Sequence, residues 1–227
     1  MENEISPQFD IGDIFGQTKS MIIRELSYSD LSMDDLSRIL DMNKTAVKEH
    51  MDSLERKGFV RSFFKSGGAG RPRKFYQLTE KGFELLPRRY VDFARVLVDE
   101  MQSELGKERT SILLANVADR FVTGAGWKKD NLKSLSKEEK LEKLKEFVSV
   151  LNKLGYYARL EVTDDVVRIV RHNCIFYELA KTNNKIICGT LGSDIIGRSL
   201  NDDFKIVEKF SEGNNRCVVE VNLKQHS

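Results

Sequence analysis

Three helical apolar stripes, followed at once by a glycine-rich hairpin, constrain the fold of this 227-residue chain more than any other feature. Each stripe repeats apolar residues at the three- or four-residue spacing of one helix face. The stripes are Ile22, Ile23 and Leu26; Leu36, Ile39 and Leu40; and Val47, Met51 and Leu54. Ser32 and Asn43 are predicted N-caps of the second and third helices, because their side chains can accept the backbone N–H groups that a helix start leaves unpaired.

The hairpin is predicted from two strand-like segments, residues 59–65 and 74–78, on either side of the sequence SGGAGRPR. The glycines free the backbone to bend, whereas Pro72 stiffens the exit and separates Arg71 from Arg73. Three helices followed by a hairpin is the order of a winged helix-turn-helix. We predict this fold for residues 1–89.

Charge is distributed unevenly along this region. Residues 1–43 carry three basic and nine acidic side chains, whereas residues 44–90 carry twelve basic and five acidic ones. Within the second block, residues 61–74 have five positive charges and no negative charge. A local positive field of this kind favours a polyanion as partner.

We therefore predict that the third helix and the hairpin bind double-stranded DNA. Hydroxyl and cationic side chains lie opposite the helix's apolar stripe, where they can reach base edges and phosphates of a major groove. The two hairpin guanidiniums can straddle the sugar-phosphate backbone or enter a minor groove. The predicted DNA-binding residues are Asn43, Lys44, Thr45, Lys48, His50, Lys65, Arg71, Arg73 and Lys74.

The remainder of the chain is predicted to form a helical segment and a second domain. Residues 90–135 place apolar residues on more than one helical face, so we predict a homodimerisation segment that ends in a solvated linker around Trp127. Residues 136–227 begin with the capping-box sequence SKEE and continue with helix-like and strand-like segments. The predicted fold class is α+β, with a winged helix-turn-helix, a helical dimerisation segment and a small α+β C-terminal domain.

All three cysteines, Cys174, Cys188 and Cys217, lie in this last domain. An odd number in a chain without an export signal argues against a disulfide framework, so we predict free thiols, metal ligands or redox switches. The sequence lacks the closely spaced cysteine pairs that are typical of structural zinc. Because Cys217 alternates in phase with Val219 and Val221, burial as a small apolar residue is the competing interpretation.

Two parts of the sequence resemble known families. Residues 17–90, through TAVKEHMDSLERKGFV and GRPRKFYQLTEKG, resemble the winged-helix domains of ArsR- and DeoR-like bacterial and archaeal repressors. The remainder is similar to the SufR-type iron–sulfur-responsive regulators through HNCIFYELA, LGSDIIGRSL and EGNNRCVVEV. Ile175 stands where that family usually has a proline after the first cysteine.

The second resemblance implies a sensor domain in which three thiolates hold an iron–sulfur cluster whose status alters operator affinity. Carried onto this chain, the ligands are Cys174, Cys188 and Cys217, and a [4Fe–4S] cluster is one type that such a set could hold. Three thiolates leave one iron of a four-iron cluster with a different ligand. His172 is the nearest candidate for that position.

Other functional classes are not indicated. The sequence contains no nucleophile–base constellation, so we predict that the chain is not an enzyme. No run approaches the ~18 apolar residues of a membrane span, and we expect a cytoplasmic protein without membrane contact. Two alternatives stay open: a winged-helix regulator that responds to a small apolar ligand or to direct thiol oxidation, and a winged-helix scaffold that binds protein rather than DNA.

Overall fold

The computed structural model describes residues 11–66, 71–128, 131–182 and 186–223. The chain divides into two compact units, Met1–Arg89 and Tyr90–Ser227, and each has its own apolar core. The glycines of the predicted hairpin loop, at residues 67–70, lie outside the described residues.

The N-terminal unit has the predicted order of helices and strands. Its elements are α1 (Ile11–Phe15), α2 (Gln17–Tyr28), β1 (Leu31–Ser32), α3 (Met33–Leu40), α4 (Lys44–Arg56), β2 (Val60–Lys65), β3 (Arg73–Leu78) and α5 (Glu80–Phe83). The strands form an antiparallel sheet in the order β1-β3-β2, in which β2 and β3 are the predicted hairpin. The α+β class and the winged helix-turn-helix arrangement are confirmed, and the two-residue strand β1 is an addition to them.

The predicted stripes form the core of this unit, with one exception. Ser32 caps α3 in a reciprocal capping box with Asp35, and the side chain of Asn43 accepts the backbone N–H of Ala46 at 2.9 Å. The apolar residues of α2 and α4 are buried as predicted. Ile39 is exposed, so its assignment to the core is wrong: α3 is only eight residues long, and its buried face is centred on Leu36.

The LTEKG sequence that follows the hairpin fastens it to the end of α4. The hydroxyl of Thr79 donates to the carbonyl oxygen of Gly58 at 2.7 Å and accepts the backbone N–H of Gly82 at 3.0 Å. A Cβ atom on Gly82 would collide with the carbonyl oxygen of Phe59, so this close approach requires glycine. The hairpin is therefore held at a defined position beside α4.

The C-terminal unit combines helices with a four-stranded antiparallel sheet. Its elements are α6 (Tyr90–Gly124), a 3₁₀ turn (Leu132–Ser134), α7 (Lys137–Lys153), β4 (Ala158–Val162), β5 (Val166–Arg171), α8 (Tyr177–Thr182), a π-helical turn (Ile187–Gly192), α9 (Ser193–Leu200), β6 (Phe204–Glu208), a second 3₁₀ turn (Phe210–Glu212) and β7 (Cys217–Asn222). The strand order is β4-β5-β7-β6. Gly106, at φ 74°, breaks α6 into two helical stretches. No helix in the described part of the chain, not even the 35-residue α6, is apolar enough over sufficient length to cross a membrane.

Trp127 belongs to the core of the C-terminal unit, so its prediction as part of a solvated linker is wrong. The side chain is buried, and its Nε1 donates to the carbonyl oxygen of Ser199 at 2.9 Å. Its ring meets that of Phe147 edge to face, with centroids 4.9 Å apart. Trp127 therefore packs in the core, although lysines flank it in the sequence.

A buried ion pair joins α7 to the segment just before β6. Lys140 Nζ lies 2.7 Å from a carboxylate oxygen of Asp202, at angles outside those of a hydrogen bond, and both side chains are almost fully buried. Lys140 also donates to the carbonyl oxygen of Asn222 at 3.1 Å. Because both charges are removed from water, the loss of either one leaves the other uncompensated.

We expect Asp202→Ala to lower the free energy of unfolding by about 3–5 kcal/mol, because it leaves the ammonium of Lys140 buried without its counter-charge. The control is Asp203→Ala, which removes an exposed carboxylate that pairs with Lys133 at the surface and should change stability by about 1 kcal/mol or less. The double variant Lys140→Met/Asp202→Leu should recover most of the loss. Urea unfolding monitored by circular dichroism measures all three, and equal effects of the two aspartate substitutions would contradict the expectation.

Candidate nucleic-acid interface and cysteine cavity

The exposed face of α4 carries the residues predicted to enter a groove. Burial of Val47, Met51 and Leu54 turns the opposite face of the helix to solvent. On that face or at its edges lie Asn43, Lys44, Thr45, Lys48 and His50. The lysines and the threonine are exposed, Asn43 is engaged as the N-cap, and His50 is half-buried.

The β2–β3 hairpin carries the remaining predicted residues. Lys65 and Arg73 face each other across the two strands at the end nearest the loop, with Arg71 and Lys74 exposed beside them. Lys65 Nζ also lies 5.1 Å from the ring centroid of Phe75, a cation–π contact that keeps the ammonium on the hairpin surface. The structure thus gathers four cations on one hairpin, next to the loop.

Acidic side chains of the same unit pair with most of these cations. The pairs are Lys44 with Asp34, Arg73 with Asp34 (3.6 Å), Lys48 with Asp52 (3.2 Å), Lys65 with Asp30 (2.9 Å) and Lys74 with Glu55 (3.9 Å). All five lie at the solvent-exposed surface, where such pairs add little to stability and exchange readily. They are therefore pairs that a phosphate could replace.

Asp34 is shared between α4 and the hairpin. Its carboxylate contacts Lys44 at the start of α4 and Arg73 at the start of β3. The hydrogen bond and charge of Lys44, with a smaller contribution from Arg73, lower the pKa of Asp34. Asp34 was not predicted from the sequence, because nothing local distinguishes it from the neighbouring capping residue Asp35.

The three cysteines line a single cavity of about 30 Å³ in the C-terminal unit. Cys174 follows β5, Cys188 lies in the π-helical turn, and Cys217 begins β7. All three are half-buried and none forms a disulfide. Residues that are far apart in the sequence therefore bring their thiols to one place.

Backbone amides contact two of these sulfurs. The N–H of Phe210 donates to Cys217 Sγ at 3.3 Å, and the backbone N–H of Phe176 hydrogen-bonds to Cys174. Burial raises the pKa of the Cys174 thiol, and the Phe176 amide partly opposes that rise. N–H donors of this kind stabilise sulfur when it carries negative charge.

Two buried polar side chains complete the cavity wall. Tyr156 is 1% exposed and Arg171 is 6% exposed, and the guanidinium lies 5.3 Å from the centroid of the tyrosine ring. Among the described residues, neither Tyr156 Oη nor Arg171 Nε has a hydrogen-bond partner. Burial raises the pKa of Tyr156, the Arg171 charge opposes the rise, and all three cysteines add to it. Neither residue was predicted from the sequence, because Tyr156 precedes β4 and Arg171 ends β5 without any local pattern that marks a site.

His172 lies apart from this cavity. Its side chain is exposed and lines a separate surface depression with Tyr157 and Arg159. Within the described ranges, no three histidine, cysteine, aspartate or glutamate side chains form a set that could hold a single metal ion.

The N-terminal unit has the features of one class of DNA-binding domain. A capped third helix with an exposed cationic face, next to a basic hairpin fastened by Thr79, is the winged helix-turn-helix of DNA-binding transcriptional regulators. Residues 16–62 match the arsR family of bacterial regulatory proteins. Residues 16–62 thus lie in an ArsR-type winged helix-turn-helix, a domain of the kind by which bacterial regulatory proteins bind DNA.

Two solved structures are similar at low sequence identity. One is the adhesin competence repressor AdcR from Streptococcus pyogenes, at 18% identity and a TM-score of 0.29, covering 61% of this chain and 81% of that one. The other is Bacillus subtilis PadR in complex with operator DNA, at 15% identity and a TM-score of 0.27, covering 78% of this chain and 90% of that one. At these values neither similarity bears on the function of this chain. No curated protein sequence matches this chain.

Proposed function

We propose that this chain is a homodimeric transcriptional regulator whose affinity for its operator is set by an iron–sulfur cluster held by Cys174, Cys188 and Cys217. The observation that carries the proposal is that these three cysteines line one cavity. Thiolates are the usual ligands of iron–sulfur clusters, and such ligands bind different iron atoms around one centre. When bound, the cluster would supply a group that oxidants or iron depletion can remove.

The donor set fits this group chemically. Each cysteine is accessible from the cavity, and the amides of Phe176 and Phe210 already point at two of the sulfurs. Hydrogen bonds to sulfur and burial are the features by which proteins tune cluster potentials. His172 lines a different depression, so we propose the three cysteines alone as protein ligands.

Cluster binding would have to widen the cavity. A volume of about 30 Å³ is close to that of one or two water molecules, so the side chains around it must move apart to admit a cluster. Cluster-loaded and cluster-free forms would then differ in the positions of the cavity walls. A sensor needs such a difference, because a ligand can shift an equilibrium only between states that it binds unequally.

Two contacts connect the cavity walls to α6. The ring of Phe176, two residues after Cys174, meets Phe121 edge to face with centroids 5.5 Å apart. The hydroxyl of Thr190, two residues after Cys188, donates to Ser111 Oγ at 3.3 Å. Movement of Cys174 or Cys188 would therefore displace residues that contact the second half of α6.

The first half of α6 offers a surface for a second copy of the chain. Tyr90, Phe93 and Leu97 share one helix face, and Phe93 and Leu97 are 68% and 47% exposed. Large apolar side chains in such a row would be covered by the same row on a symmetry-related protomer, because a two-fold axis places the same patch on both sides. Cluster-dependent movement of α6 would then alter the geometry of the dimer that spaces two DNA-binding units.

The DNA contact is proposed to use the exposed face of α4 and the β2–β3 hairpin. The role of Asp34 follows from its two ion pairs, since its carboxylate stands between Lys44 and Arg73, where a phosphate would otherwise sit. DNA binding must then replace this carboxylate or leave it beside a phosphate, and both outcomes weaken binding. Asp34 is thus proposed to limit affinity for DNA of any sequence.

For the DNA surface, we expect Asp34→Asn to tighten binding to a mixed-sequence duplex several-fold, and Arg73→Ala to weaken it. Removal of a phosphate contact should also reduce the slope of log affinity against log salt by about 0.9. The control is Arg24→Ala, which removes an exposed cation of α2 paired with Glu25. Fluorescence anisotropy over a salt series measures these effects, and weaker binding by Asp34→Asn would show instead that Asp34 orients the two cations for DNA.

For the cysteines, we expect protein purified without oxygen to be brown and to contain iron and acid-labile sulfide. Replacement of each cysteine in turn by serine should abolish or greatly reduce the iron content, whereas His172→Ala should retain it. Absorbance spectra with iron and sulfide analysis measure this. Colourless wild-type protein after anaerobic reconstitution would contradict the proposal, and oxidant-dependent DNA affinity in that protein would favour direct thiol oxidation.

For the dimer, we expect Phe93→Glu/Leu97→Glu to convert the protein into a monomer, because the substitution would place like charges opposite each other across a two-fold axis. Val207→Glu, at an exposed apolar position on β6, is the matched control and should leave the assembly unchanged. Sedimentation equilibrium measures the mass. If the double variant remains dimeric, the interface lies on another surface.

A further inference from the structure

Arg171 is a buried cation without a counter-charge among the described residues. The side chain is 6% exposed, and no described carboxylate forms an ion pair with it. A buried charge of this kind is costly unless an opposite charge or hydrogen bonds compensate it. Its guanidinium lies 5.3 Å from the centroid of the Tyr156 ring, and Arg171 and Tyr156 both line the cysteine cavity. The anion that would compensate Arg171 is therefore expected in the cavity.

The sheet register fixes Arg171 beside the sulfur ligands. Arg171 pairs directly with Cys217 across β5 and β7, so the two side chains lie on the same face of the sheet. Cys174 follows only three residues after Arg171. The cation is thus held by the same strand pairing that brings two of the cysteines together.

Tyr156 is buried, whereas the next residue, Tyr157, is exposed. The next residue, Tyr157, has φ 49°, in the left-handed region that a tyrosine adopts at a cost. Its side chain points to solvent, while Tyr156 is buried with an unpaired hydroxyl at the cavity. Of these two adjacent tyrosines, one is at the surface and the other lines the cavity.

We propose that Arg171 and Tyr156 are positioning residues for the anionic cluster, with Arg171 as its counter-ion and the Tyr156 hydroxyl as a hydrogen-bond donor to its sulfur. This inference rests on the proposed function and adds two residues that are not ligands. Thiolates and inorganic sulfides make a cluster anionic, and one-electron reduction adds a further negative charge to it. A nearby cation and a hydrogen bond to sulfur therefore favour the reduced form and raise the reduction potential.

The test compares wild type with Tyr156→Phe and Arg171→Gln after anaerobic reconstitution with iron and sulfide. Redox titration with dithionite and mediators should give a more negative midpoint potential for each variant. A tenfold loss of preference for the reduced form corresponds to a shift of about 59 mV for one electron. Loss of the cluster in air, followed by absorbance, should be several-fold faster in both. Tyr157→Phe and Arg159→Gln, at the exposed neighbours, should match wild type in both measurements.

A second readout separates positioning from a merely structural role. In cluster-free protein the Tyr156 hydroxyl is buried without a partner, so Tyr156→Phe should leave the unfolding midpoint in urea unchanged or raised. A purely structural tyrosine would lower it. This variant also retains the buried ring, so the test holds even if Arg171→Gln fails to fold.

The outcomes separate this inference from the proposed function. Wild-type protein that takes up no iron and sulfide would overturn both. Wild-type protein with a cluster whose potential and air stability are the same in Tyr156→Phe and in folded Arg171→Gln would overturn the inference and leave the cluster in place. A negative shift confined to these two variants would support both.

Discussion

The antiparallel pairing of β5 with β7 is the interaction on which the C-terminal unit depends. Val167 and Ile169 on β5 lie opposite Val221 and Val219 on β7, and all four are buried. This apolar face fixes the register, since a slip of one residue would turn every core side chain to the other face. The same register sets Arg171 opposite Cys217. Core packing and the assembly of the cysteine cavity therefore have one cause.

The two sites use charge under opposite conditions. On the winged helix the cations are exposed and paired with nearby carboxylates, so solvent and salt screen them and their partners can be exchanged. In the cavity Arg171 is buried, so solvent and salt screen its charge only weakly. A nearby negative charge would therefore stabilise it. Exchangeable pairs suit reversible contact with a polyanion. A buried cation suits an anionic cofactor that stays bound until it is oxidised or loses iron.

Local signals in the sequence were sufficient for most of the winged helix. The caps at Ser32 and Asn43 and the stripe of α4 depend on residues within one or two helical turns, and the structure contains them as predicted. Ile39 and Trp127 were misassigned because burial depends on neighbours that are distant in sequence. Ile39 has the spacing of a core residue on a helix too short to bury it, whereas Trp127 is covered by α7 and by the carbonyl of Ser199.

The sequence by itself determined the order of elements, the basic face of the third helix and hairpin, and the presence of three thiols in the last domain. Only the tertiary structure decided that those thiols line one cavity, that Tyr156 and Arg171 face it while His172 does not, and that Asp34 joins α4 to the hairpin. The physical reason is the distance along the sequence between the residues that interact. Helix faces and caps follow from spacing along a few residues, whereas these contacts depend on strand register and on packing between elements that no local pattern encodes.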